Sequence, residues 1–191
     1  MNAGMALAMA ASLAAASGAE GSGVNVCVAG NGQNPLVLQT ALATTRKVFH
    51  DIGINLNTRG CQNRDVHTVE VTFAESKGPK DHPGALAYAL PYQGSRIVVF
   101  HDRVRSIVPS APSVPYVLGY VLAHEIGHIL QGVVRHGEEG ILKANWSRDD
   151  YSSMARVRVA FSKPDAELIH LGLLARQQRA NAGTRATAAS K

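Results

Sequence analysis

Leu122-Ala123-His124-Glu125-Ile126-Gly127-His128-Ile129-Leu130-Gln131-Gly132 is an apolar run into which two histidines and one glutamate have been set. Residues four apart on a helix lie one turn apart on nearly the same face, so His124 and His128 can converge on one metal ion. Glu125 is rotated by about 100° from His124. There it can reach a metal-bound water without being a ligand. Zinc lowers the pKa of such a water and polarises a scissile carbonyl, and a carboxylate beside it can take the water proton and pass it to a leaving amine. The spacing HExxH on a helix is the pattern that this chemistry requires.

Outward from the motif, Leu118, Val121, Leu122, Ile126, Ile129 and Leu130 predict a largely buried helix from about Val114 to Leu130. Gly132 is placed to stop it, because glycine reaches the left-handed conformation that closes helices. A catalytic zinc ordinarily takes a third protein ligand. His136 follows Gly132 and is the first candidate, with Glu138, Glu139, Asp149 and Asp150 as rivals. Asp149 and Asp150 are also explained as acids in the first turn of a helix capped by Ser147, and the two glutamates as solvated charge. His50, His67, His82, His101 and His170 stand outside the motif and are expected in packing or on the surface.

Before the motif the pattern alternates between strands and one helix. Val24–Val28, Ile54–Leu56, Thr68–Phe73, Ala85–Leu90 and Ile97–Phe100 read as strands, and residues 36–50 as a helix. Three prolines between Arg105 and Pro115 predict an ordered loop. After the motif, Pro164 opens a last helix expected to fade after Arg176, and residues 181–191 read as a disordered tail.

The 191 residues suffice for one domain with a core, here residues 20–180. A net charge of +5 comes from scattered lysines and arginines that form no nucleic-acid stripe. Residues 1–19 carry no charged side chain, are rich in Ala, Met and Leu, and end in Ser17-Gly18-Ala19, as an export signal peptide does; the alternative is an apolar helix of the fold. The stretch falls short of a bilayer span, so no stable membrane anchor is expected. In an exported protein, Cys27 and Cys61, the only cysteines, suggest one disulfide, the alternative being two buried thiols.

The segment Leu122–Gly132, followed by His136 and by Gly140-Ile141-Leu142-Lys143-Ala144-Asn145-Trp146-Ser147, resembles the metzincin clan of zinc metalloproteinases, in particular its small exported bacterial members. The resemblance implies an α+β zincin fold: a twisted mixed sheet, an active-site helix, and a small C-terminal part after Gly132. It implies zinc on His124, His128 and His136, Glu125 as general base and acid, and a peptide or protein substrate paired with an edge strand, for which Ala85–Leu90 is the candidate. Two departures stand out. Gln131 and Val134 occupy the positions where the clan's usual spacing places glycine and histidine, and Leu142 stands where a methionine turn is expected. Leucine preserves the volume of that floor. Met154 is the alternative turn methionine, or else a helix-face residue. The expected function is a secreted or periplasmic zinc endopeptidase; the competing reading keeps the scaffold as a zinc-binding or peptide-binding protein without turnover.

Overall fold

The structure, a computed structural model, describes residues 23–29, 33–63, 67–75, 83–91 and 94–189, with Asn63 and the last seven of these as backbone only. The proposed signal peptide lies outside them.

Apolar alternation and β-branched residues place β1 at Gly23–Ala29, β2 at Asn55–Gly60, β3 at Val69–Ala74, β4 at Ala87–Ala89 and β5 at Arg96–Phe100. They form one twisted sheet in the order β2-β1-β3-β5-β4. β1 pairs in parallel with both β2 and β3, and β3 in parallel with β5, whereas β4 runs antiparallel to β5 at the sheet edge. The crossover from β1 to β2 is α1, Pro35–His50, capped by the Asn34 side chain accepting from Leu36 N–H. Cys27 on β1 is disulfide-bonded to Cys61, in the short turn after β2, so the expected pairing is present.

Two expectations are corrected. Arg105 to Ile107 are not loop: they complete α2, His101–Ile107, which begins directly after β5 and buries Val104. The prolines act only beyond it, where Val108 is extended. The last helix, α5, does not fade after Arg176 but runs from Lys163 to Ala189. The helix thus extends through residues 181–189, consistent with their alanine content.

The motif helix, α3, spans Val114–Gln131 and ends at Gly132, whose φ of 73° is the left-handed cap expected of it. It packs against α1, α2 and α5 and reaches the sheet at β4 and β5. Val117, Leu118, Val121, Leu122, Ile126, Ile129 and Leu130 join Val48, Phe49, Val71, Ile97 and Val99 in one core. Its approach to α1 is close. A Cβ on Gly119 would stand 2.6 Å from Thr44 Cβ and 2.7 Å from the Ala41 carbonyl oxygen, while Thr45 Oγ1 donates to the Gly119 carbonyl at 2.9 Å. Alanine at 119 must push the two helices apart. Gly119→Ala is accordingly expected to lower the stability by about 1–3 kcal/mol in urea unfolding. A substitution without effect would show that the crossing is looser than described.

Candidate metal centre

α3 holds His124, Glu125 and His128 toward one cavity because their spacing puts them on neighbouring strips of the helix, and the remaining faces are filled by core residues. Gly132 then reverses the chain, and the segment 133–143 folds back over the helix. That return brings His136 to the pair. The ligand-capable atoms of His124, His128 and His136 all lie within 4.8 Å of one another. His124 Nε2 and His128 Nε2 are 3.0 Å apart.

The other ring nitrogen of His124 explains how its imidazole is oriented. Nδ1 lies 2.7 Å from the Ile141 carbonyl oxygen, which can only accept, so Nδ1 carries the proton and Nε2 presents a lone pair to the cluster. The Val133 carbonyl faces His128 and favours its protonated form, although Nδ1 makes no hydrogen bond of good geometry. Burial pushes His124 down to about 3 and His128 to about 4, with the neighbouring histidines adding to both. Both imidazoles are therefore neutral near pH 7. Three imidazoles within ligating reach of one another, two of them kept neutral by burial, form a donor set that fits zinc.

Glu125 is 8% exposed, and burial raises its carboxyl to about 8, partly offset by the Ala89 backbone N–H, which donates to it. The catalytic candidate is thus tied to the edge strand β4. None of the rival third ligands joins the cluster. Asp150 completes a capping box with Ser147 on α4, Arg148–Ser153, and pairs with Lys143 at 2.8 Å; Asp149 lies in the same first turn. Glu138 and Glu139 line a smaller neighbouring cavity with Met154. Met154 itself is the buried C-cap of α4. Leu142 is fully buried, and a Cβ on Gly127 would meet its Cδ2 at 3.1 Å, so it is Leu142 that underlies α3 between the two motif histidines. Among the other histidines, His101 packs edge-on against Phe73, His170 Nε2 contacts the Ile52 carbonyl, and His50 and His67 are on the surface; His82 lies outside the described residues.

The cavity measures about 550 Å³ and is also lined by Ala85 to Ala89, Val134, Lys143, Trp146 and Tyr151. Trp146, the chain's single tryptophan, stands edge-on to His124 at 5.4 Å, and Tyr151 edge-on to Trp146 at 6.1 Å. Neither was singled out as a site residue from sequence. The one usable signal was a lone tryptophan close behind the third histidine.

No protein-family model and no curated protein matches the chain. Among solved structures it is similar to archaemetzincin from Methanopyrus kandleri, with a TM-score of 0.56 over 81% of this chain and 97% of that one at 16% identity. The fold is zincin-like. Myroilysin is a more distant likeness, with a TM-score of 0.39 and 17% identity over 77% of this chain and 66% of its own.

The burial of these groups has opposite consequences for stability in the chelator-treated protein. Unfolded histidines bind protons below 6.5 while His124 and His128 resist them to about 3 and 4, so that contribution is lost as pH falls below 6.5. Glu125 stays protonated to about 8 in the fold but ionises near 4.5 when unfolded, so its contribution is present at low pH and lost as pH rises toward 8. Above pH 6.5 only the glutamate operates. The urea midpoint is expected to decline between pH 6.5 and 8, and Glu125→Gln to remove the decline. A flat wild-type profile would show that Glu125 is ionised in the native state.

Proposed function

We propose that the chain is an exported zinc endopeptidase in which His124, His128 and His136 hold the metal and Glu125 is the general base and acid. The observation that carries this reading is the placement of a buried, non-ligating carboxyl beside three convergent imidazoles in one cavity with an open strand edge. A purely structural zinc site has no use for such a carboxyl.

Bound zinc would supply Lewis-acid polarisation of the scissile carbonyl and a readily ionised water. The chain does the rest. Leu86 O accepts from Phe100 N–H at 2.8 Å, so by antiparallel alternation the backbone N–H and C=O of Ala87 point away from β5, toward the free edge. An extended peptide adds there as a further strand, which orients its backbone without reading its sequence. Val134, Trp146 and Tyr151 add apolar area to the walls of the cavity, against which side chains of a bound peptide can pack. Glu125, anchored by Ala89 N–H, takes a proton from the attacking water and returns it to the leaving amine. The disulfide agrees with an oxidising, extracytoplasmic setting, and among the described residues no helix is long and apolar enough to cross a membrane.

The test is Glu125→Gln, assayed by mass spectrometry on a denatured protein substrate with zinc measured by elemental analysis. The variant is expected to keep about one zinc per chain and to lose cleavage by about 10²–10⁴-fold or more. Cleavage that survives the substitution would overturn the role of Glu125. A wild type that binds zinc and cleaves nothing would leave the binding-protein reading in its place.

A further inference from the structure

His136 is the exposed member of the cluster, on a segment that contributes no regular element, and its rivals lie close by in sequence. An exposed side chain on such a segment loses conformational freedom when it ligates, and that cost weakens binding unless the chain on either side is already fixed. The structure fastens it on both sides. Gly137 N–H donates to the Leu142 carbonyl at 2.8 Å. On the other side, Arg135 Nη1 reaches Asp165 Oδ1 at 2.8 Å.

Asp165 is the unusual partner. Its carboxylate is wholly buried, and its second oxygen accepts from Ser162 Oγ at 2.6 Å. A Cβ on Gly137 would stand 2.8 Å from that same oxygen, so both residues flanking His136 rest against one carboxylate. The Asp165 carbonyl also lies 3.4 Å from Gln131 Nε2, at the end of α3. A carboxylate in this place is explained in part by the start of α5, where Ser162 Oγ accepts from Asp165 N–H and the helix dipole favours an acid. Capping does not require an arginine contact from a segment thirty residues earlier. Removing either partner would leave the other charge uncompensated, which ties the 135–137 segment to this carboxylate.

We propose that Asp165, acting through Arg135, is a positioning residue for the third zinc ligand, holding the backbone around His136 so that its imidazole is presented to His124 and His128. This rests on the three-histidine zinc site proposed above. It also accounts for a third ligand that arrives later than the metzincin spacing, since the segment is located by a contact to α5 rather than by a tight turn.

The test is zinc affinity of the full chain by chelator competition, with Co²⁺ absorption as a report on ligand number. Asp165→Asn and Arg135→Ala are each expected to raise the Kd for zinc by about tenfold to a hundredfold and to alter the Co²⁺ spectrum in the direction of His136→Ala. Ser162→Ala, which removes the cap and one hydrogen bond to the carboxylate but keeps the Arg135 pair, is expected to lower the melting temperature and to raise the Kd by less than Arg135→Ala does. The deciding comparison is made in a His136→Ala background, where Asp165→Asn should weaken zinc no further. Equal losses in both backgrounds, or unchanged affinity in Asp165→Asn and Arg135→Ala while His136→Ala weakens binding, would overturn the positioning role alone. A wild type that takes up no zinc would remove the site and this role together.

Discussion

Removing α3 from water is the constraint on which the rest of the molecule turns. Nearly every face of the helix is buried, yet it carries two imidazoles and a carboxyl. Desolvation acts on all three in the same sense, against charge, and so moves the histidines down and the glutamate up. The result is a set of neutral groups gathered at one cavity. A divalent cation bound there would find the neutral nitrogens of His124 and His128, and its field would favour the carboxylate form of Glu125.

The C-terminal part exists to complete this helix. Ile141 accepts from His124 through its carbonyl and donates its N–H to Ala160, while Leu142 accepts from Gly137 and seats its side chain under Gly127. One short segment therefore sets a histidine tautomer, supplies an apolar floor and closes the turn that carries His136. What such a floor must provide is volume and the absence of polar atoms, and leucine meets both conditions as methionine does. Leu142 thus fills the place under α3 for which the resemblance implies a methionine.

The parts legible in the sequence were those governed by local chemistry. Helical spacing announced α3, Gly132 its end, and Ser147 the start of α4, each through an interaction made within a few residues. Two features escaped. α2 is short and buries only Val104, too little for a periodic signal, and the continuation of α5 beyond Arg176 was masked by polar side chains on a backbone that alanine favours. The proposed third ligand lies between these cases. His136 was visible as a candidate, but choosing it over Glu138, Glu139, Asp149 and Asp150 depends on the path of the segment after Gly132. That path is set by contacts with Asp165 and Leu142, and neither contact has a sequence pattern.

The one antiparallel strand bears on the chemistry in a way that the motif alone does not. β4 reverses direction at the sheet edge, so its outward backbone groups face the cavity that α3 lines from the other side. One of those groups, Ala89 N–H, is taken by Glu125. The proposed base and the proposed peptide edge are consequently in contact through the Ala89 backbone. A peptide pairing at Ala87 would stiffen β4 by adding ladder hydrogen bonds, and through Ala89 would narrow the positions open to the Glu125 carboxyl. In this arrangement the binding of a main chain and the alignment of the proton-transferring group are consequences of the same strand.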